Sequence, residues 1–339
     1  MCLMSLEEFT HLRTMIKYNY KIDKFPYILF KYMEVKEKII EEYNNWLRIF
    51  TFIEHFKNKF QLYSTIERAL ITHYSFDGDL YVNNAIKQLV EKTIFTKNEA
   101  QKFMREFLEF KVEKEIPDFN IQSNGTICVG KFRKKLNKKR LKLLRKFANT
   151  NEIIYMVMRY ASLFPGGQQW NVPKNVYKLL VEKYGIEIEG FSSPINSQLL
   201  PYGLPFCSLF YDTDKPFGSL GNAYDQDFIG KRITLNPPFI LEIVEKTVSF
   251  ALEIFERSIR EKKETFIFMI LPAWADADFY TSLTADKRIY TYLFTKDSYY
   301  YEDSFTGFKI YATFDSYLCI LNSSKPYNDY DDIIEQFKF

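Results

Sequence analysis

Apolar residues recur at helical spacing through the first third of the chain and give way, beyond about residue 150, to short apolar runs alternating with helical stretches. Ser5-Leu6-Glu7-Glu8 and Thr96-Lys97-Asn98-Glu99 have the form of capping boxes, each followed by apolar residues three and four apart. Phe103, Met104, Phe107, Leu108 and Phe110 mark one amphipathic stretch within 97–114. Residues 1–116 therefore read as helical. The segment Pro117 to Gly130 breaks this pattern with Pro, Asn, Ser and Gly, and predicts a loop or short hairpin. Over 131–146, Phe132, Leu136, Leu143 and Phe147 fall on one helical face, which predicts a helix there.

Later in the chain, residues 152–163, 173–184, 239–262 and 277–286 read as helices. Ile186–Phe191, Phe206–Phe210, Lys231–Leu235, Phe266–Leu271, Ile289–Phe294 and Tyr311–Leu321 read as strands. Phe266–Leu271 is apolar throughout, as a strand covered on both faces requires. Alternation of this kind predicts an α/β sheet of doubly wound type, in which ligands bind beyond the carboxyl ends of strands. The expected organisation is a helical N-terminal domain over 1–150, carrying the basic helix 131–146, followed by an α/β domain over 151–339.

Composition narrows the classes. The 339 residues are 47% hydrophobic with a net charge of +3, which describes a globular chain. The charge is unevenly placed: residues 131–146 hold ten Lys or Arg and no acid. A solvated helix explains some of these, but so dense a run favours contact with a polyanion. Cys2, Cys128, Cys207 and Cys319 are far apart, and His11, His55 and His73 lack ligand spacing, so neither a metal site nor a disulfide framework is predicted. A reducing, intracellular compartment fits, nucleus or cytoplasm alike. No apolar run approaches the ~20 residues of a membrane span, and the N-terminus lacks a signal-peptide layout. The glycine fingerprint of nicotinamide dehydrogenases is absent.

The candidate chemistry lies in Asn236-Pro237-Pro238-Phe239, between a short strand and a long helix. A proline turn starting a helix is the simplest account of it. The box also suits methylation of an exocyclic amine on a nucleobase. Such an amine is a poor nucleophile because its lone pair is delocalised into the ring. The Asn236 side-chain oxygen and the Pro237 carbonyl can each accept one of its N–H groups and free that lone pair. The two prolines fix φ and remove N–H donors, so the turn presents carbonyls. Phe239 can stack on the base. Orientation and placed dipoles then supply most of the rate.

Three segments occur in order: Gly190-Phe191-Ser192-Ser193-Pro194-Ile195-Asn196, Asp212-Thr213-Asp214-Lys215-Pro216-Phe217-Gly218-Ser219, and the 236–239 box. Together they resemble the phosphorylated-CTD-interacting factor family of cap-specific adenosine-N6 methyltransferases. Arg159-Tyr160, Gly166-Gly167-Gln168-Gln169 and Pro272-x-Trp274 are similar as well, so the resemblance covers roughly residues 150–322. It implies a Rossmann-like class I methyltransferase domain preceded by an all-helical domain, with S-adenosyl-L-methionine as cofactor and no metal. The implied partner is the 5′ end of an m7G-capped mRNA, methylated at a cap-proximal, 2′-O-methylated adenosine, with no membrane involved. On this resemblance Asn236, Pro237, Pro238 and Phe239 hold the target adenine. Ser193, Pro194 and Asn196 line the methionine end of the cofactor. Asp212 or Asp214, with Phe217 and Gly218 beside them, contact its ribose or amino group, although a turn closed by Asx hydrogen bonds accounts for the aspartates equally. Arg159, Gln169, Trp274, Lys134, Lys135, Lys138 and Lys139 face the RNA, Trp274 serving either as a base stacker or as a core aromatic. No WW-type module is evident, so docking on a polymerase tail is not implied.

Two other functions remain open from residues alone. One is an N6-adenine methyltransferase acting on internal RNA or on DNA. The other is a catalytically silent RNA-binding relative, against which the intact 236–239 box argues.

Overall fold

Successive residues of the strand Phe266–Pro272 point to opposite sides of one sheet, and all seven are buried. Phe266, Phe268 and Ile270 enter one apolar cluster, and Ile267, Met269 and Leu271 enter another. This two-faced core identifies the molecule as mixed α/β. The computed structural model describes residues 118–163, 170–324 and 329–338, with the single positions 39, 43, 44, 96, 98 and 102. The predicted helical half, 1–116, lies outside the described residues apart from those positions. The chain divides into two compact units, residues 1–168 and 169–339.

In the first unit, β1 (Phe119–Ile121), β2 (Thr126–Val129) and β3 (Phe132–Lys135) form an antiparallel meander. The hairpin expected between Pro117 and Gly130 is thus present. The basic helix expected over 131–146 is not continuous. Its first third pairs with β2, Phe132 opposite Val129 and Lys135 opposite Thr126. The reason is the alternation of Phe132 and Leu136, both buried, with exposed cations between them; tertiary pairing overrides helical propensity. Asn137 then caps α1 (Lys138–Leu144), accepting the Lys139 N–H at 2.9 Å. Leu141 and Leu144 are buried instead of Leu143 and Phe147. Next, α2 (Thr150–Leu163) starts at a capping box, in which Asn149 Oδ1 accepts the Glu152 N–H at 3.1 Å and Glu152 Oε2 accepts the Asn149 N–H at 2.9 Å. This helix falls in the first unit, whereas the sequence pattern put it in the second.

The second unit opens with β4 (Trp170–Asn171) and α3 (Lys174–Glu182). Then follow β5 (Ile188–Ser192), β6 (Phe206–Ser208), α4 (Tyr211–Asp214) and β7 (Arg232–Thr234). The long α5 (Leu241–Glu261) leads to β8 (Phe266–Pro272), α6 (Asp278–Ala285) and β9 (Ile289–Phe294). The chain ends with β10 (Tyr300–Asp303), β11 (Lys309–Tyr311), β12 (Ser316–Asn322) and α7 (Asp331–Glu335). The single strand expected over Tyr311–Leu321 is split, because the chain turns between Ala312 and Asp315 and only the second part enters the main sheet.

The main sheet has six strands in the order β6-β5-β7-β8-β12-β9. β6, β5, β7 and β8 are parallel, and β12 runs antiparallel to both β8 and β9. Helices α3 and α7 cover one face, and α5 and α6 the other. On α5, Val244, Val248, Ala251 and Phe255 point inward at three- and four-residue spacing. A smaller antiparallel sheet, β11-β10-β4, completes the unit. From β5 the chain pairs β6 on one side and then crosses to pair β7 on the other. Strand order therefore reverses between β5 and β7, and by the general rule for open α/β sheets the ligand crevice is expected at their carboxyl ends.

Candidate active site

Two of the segments singled out in the sequence end at that crevice. β5 runs into Ser192–Asn196, and β7 runs into Leu235–Phe239. The strands approach unusually closely. A Cβ on Gly190 would lie 2.4 Å from Leu235 Cδ2 and 2.8 Å from the Thr234 carbonyl oxygen, so only glycine leaves room for β7 here.

Within the 236–239 turn, Pro237 is buried, Pro238 exposed, and Asn236 and Phe239 half-buried. The Leu235 N–H donates to the Phe268 carbonyl at 2.8 Å, extending the pairing of β7 with β8 up to the turn. Asn236 is then held at both ends of its amide. Its Oδ1 accepts the Ile270 backbone N–H at 2.8 Å, and its Nδ2 donates to the Tyr177 hydroxyl at 3.4 Å. The Pro238 carbonyl accepts the Ile240 N–H at 2.8 Å, closing the turn into α5, while the Pro237 carbonyl accepts no hydrogen bond from the described residues. Phe239 meets Phe314 edge-on, with centroids 5.6 Å apart and planes at 71°. The turn thus offers an oriented side-chain oxygen, a backbone carbonyl with both lone pairs available, and an anchored ring.

The Ser192–Asn196 loop is organised by Asn196. Its Oδ1 accepts the Ser193 N–H at 2.7 Å, the Ser193 hydroxyl at 2.9 Å and the Ser192 hydroxyl at 3.0 Å. Its backbone carbonyl accepts Asn171 Nδ2 at 2.8 Å and Gln198 Nε2 at 3.2 Å. The Asn196 side-chain oxygen is therefore used inside the loop, with Ser193 and Pro194 buried around it. The second segment sits on α4, after β6. Asp212 is half-buried, whereas Asp214 and Phe217 are fully enclosed. A 3₁₀ turn over Lys215–Phe217 folds the Phe217 ring into the interior, where apolar burial favours it. Gly218, at φ +96°, ends the turn in open space, where the left-handed backbone favours glycine.

The residues expected to face RNA divide. Lys135, Lys138 and Lys139 are exposed and Lys134 is half-buried. Arg159 is enclosed instead, 1% exposed, with Nη1 donating to the Tyr155 hydroxyl at 3.3 Å. It lies on a turn of α2 whose neighbours Met156, Val157, Met158 and Tyr160 are all buried, so the guanidinium follows them inward. Trp274 packs half-buried against Phe279, with centroids 6.3 Å apart. Gln169 lies outside the described residues. Among the described residues no cluster of His, Cys, Asp and Glu could hold a metal ion, and no helix is long and apolar enough to cross a membrane.

Sequence reasoning missed Glu189 and Tyr177. Glu189, on β5, is buried and accepts four donors. The Tyr177 hydroxyl reaches Oε1 at 2.8 Å, and the Ser197 hydroxyl and the Gln198 and Leu199 N–H groups reach Oε2 at 2.9, 2.9 and 3.4 Å. Burial pushes its carboxyl above the ordinary range, and these four donors oppose that shift. Burial first, and the Glu189 charge second, push Tyr177 well above an ordinary phenol, so it keeps its proton. Two acids, Glu187 and Glu189, interrupt the run Ile186–Phe191, and an acid within an expected interior strand was the available signal.

Known proteins are similar in sequence to part of this chain. Two curated relatives are each named mRNA (2′-O-methyladenosine-N(6)-)-methyltransferase. The human protein is 33% identical and the mouse protein 32% identical, both over 124 residues that make up 36% of this chain. The matched stretch spans 16% of the length of each relative. Residues 132–303, just over half of the chain, match the model of the family described as phosphorylated CTD interacting factor 1 WW domain. That match runs from β3 through β10 and takes in every segment at the crevice, and the chain accordingly belongs to the phosphorylated CTD interacting factor 1 WW domain family.

Proposed function

We propose that this protein is an S-adenosyl-L-methionine-dependent adenosine-N6 methyltransferase acting on the cap-proximal, 2′-O-methylated adenosine of m7G-capped mRNA. The observation that carries this reading is the 236–239 turn, with the Asn236 oxygen oriented and the Pro237 carbonyl accepting no donor from the described residues, at the carboxyl end of β7. The fold is consistent with a Rossmann-like class I methyltransferase: forward strands with one reversed strand, β12, inserted between β8 and β9, and a switch point between β5 and β7. The names of the relatives supply the substrate class.

The residues at the crevice fit the cofactor. The Ser192–Asn196 loop and the half-buried Asp212 follow the carboxyl ends of neighbouring parallel strands, and a carboxylate there suits ribose hydroxyls. When bound, S-adenosyl-L-methionine supplies a methyl group on a positively charged sulfur, and transfer forms the N6–carbon bond as the carbon–sulfur bond breaks. The Asn236 oxygen accepts one N6–H through the lone pair that Ile270 leaves. The Pro237 carbonyl accepts the other. Both dipoles strengthen as positive charge builds on the nitrogen, which is where placed dipoles act most. The surplus proton then passes to water. Phe239, braced by Phe314, holds the plane of the base. A single-stranded RNA end gives up its base to such a pocket without breaking a duplex.

The cations of 131–146 provide the phosphate-tracking surface. Lys135, Lys138 and Lys139 form no ion pair among the described residues. Changing Lys134, Lys135, Lys138 and Lys139 to glutamine is expected to weaken RNA binding and to reduce the slope of log affinity against log salt by up to about 3, at roughly 0.7 per phosphate on a single strand. Filter binding across a salt series measures this, and an unchanged slope would mean that these side chains only solvate the surface. Methyl transfer to matched capped RNA, uncapped RNA and DNA oligonucleotides tests the substrate. Capped RNA is expected to be the preferred acceptor. Equal methylation of the uncapped strand would sink cap dependence, and failure to bind the methyl donor by calorimetry would favour a silent RNA-binding relative.

A further inference from the structure

We propose that Tyr177, held by the Glu189 carboxylate, is a positioning residue that fixes which end of the Asn236 amide faces the substrate. The proposal rests on the methyltransferase reading above and deepens it. The groups form one hydrogen-bonded chain within the second unit, buried at Tyr177 and Glu189 and half-buried at Asn236. Asn236 Nδ2 donates to the Tyr177 hydroxyl at 3.4 Å, and that hydroxyl donates to Glu189 Oε1 at 2.8 Å. Thr234 Oγ1 lies 3.4 Å from the same hydroxyl.

The direction of the chain follows from proton counting. A hydroxyl has one hydrogen to donate. Glu189 takes four donors on its two oxygens, the complement that an ionised carboxylate requires, and offers none in return. The Tyr177 proton is therefore committed to Glu189, and the Tyr177 oxygen faces Asn236 only as an acceptor. An acceptor selects the NH₂ end of the amide. The carbonyl end then points to the Ile270 N–H and to the crevice, where an exocyclic amine needs an acceptor. A reversed amide would meet donors at Ile270 and at the amine, and would lose its partner at Tyr177. Buried mismatches of that kind are costly, and in a low-dielectric chain each bond polarises the next.

Tyr177 comes from α3, Glu189 from β5 and Asn236 from the turn after β7, so the chain also ties together three elements around the switch point.

Steady-state kinetics on capped RNA test this. Tyr177→Phe keeps the ring and removes only the hydroxyl. It is expected to lower kcat about tenfold while KM for RNA and for the methyl donor stays within about twofold, the signature of an interaction used in the transition state. Adding Glu189→Gln in that background is expected to lower kcat no further, because the carboxylate acts through the hydroxyl. The sharper test reverses the chain. Glu189→Gln supplies an N–H to Tyr177 and turns its proton toward Asn236, where it meets another donor. Asn236→Asp places an acceptor opposite an oxygen whose proton is already committed. Each change alone is expected to lower kcat at least about tenfold, and the two together to recover activity above either, since donor then meets acceptor at every step. Wild-type kcat in Tyr177→Phe, or a double variant no better than the weaker single, would overturn the proposal. Melting curves identify a variant that fails to fold, and Tyr177→Phe, which loses no ring packing, then decides alone. An inactive wild-type protein would instead count against the methyltransferase reading itself.

Discussion

Asn236→Ala is expected to lower kcat for methyl transfer about 100- to 1,000-fold, the loss typical of removing one preorganised polar group that acts on developing charge. Alanine cannot accept from the N6 amine, so the lone pair stays delocalised into the ring, and the Pro237 carbonyl alone does not restore it. RNA affinity changes far less, because the acceptor strengthens only as charge develops. The structure adds a cost, because Asn236 Oδ1 also satisfies the Ile270 backbone N–H. Leaving that donor unmatched next to the sheet costs about 1–3 kcal/mol. Single-turnover rates measured well below the melting temperature separate the two effects. A variant that melts early yet transfers methyl groups at the wild-type rate would remove Asn236 from the chemistry.

Gly190→Ala is expected to damage both stability and activity. The new methyl group would meet Leu235 Cδ2 at 2.4 Å and the Thr234 carbonyl oxygen at 2.8 Å. A side chain can rotate away, but the Thr234 carbonyl belongs to β7 and cannot yield without moving the strand. Overpacking of this kind costs about 1–3 kcal/mol. For a unit of this size it corresponds to a fall in melting temperature of roughly 2–12 °C. Any shift of Thr234 and Leu235 is passed directly to Asn236, the next residue. A displacement of about 1 Å in such a group is enough to cost on the order of 100-fold in rate. Thermal unfolding followed by a kcat measurement below the transition checks both parts. Retention of wild-type melting and turnover would show that β5 and β7 are further apart than 2.8 Å contacts allow.

What the sequence revealed and what it hid have separate physical causes. β8 was legible because both of its faces are covered, which writes a continuous apolar run into the chain. Asn236–Phe239 was legible as a turn between a strand and a helix because two adjacent prolines after a strand leave few conformations. The 131–146 run misled because Phe132 and Leu136 satisfy a helical face and an alternating strand at once. Pairing of β3 with β2 decided between them, and pairing is not local. The resemblance placed Arg159 against RNA, but its helix buries neighbours on nearly every side. The Tyr177–Glu189–Asn236 chain was hidden for a third reason. Tyr177 is 12 residues from Glu189 and 59 from Asn236, and on a helical wheel it is one more core aromatic. Only the strand order β5-β7 brings the three together.

The most direct test of the central claim is mass spectrometry of the 5′-terminal nucleotides. Capped RNA beginning with 2′-O-methyladenosine is incubated with the protein and S-adenosyl-L-methionine, then digested to nucleosides. The account predicts a gain of one methyl group on N6 of that first adenosine, absent when Asn236→Ala replaces the wild-type protein. A methyl group found on any other atom, or equal product from the wild type and Asn236→Ala, would contradict it.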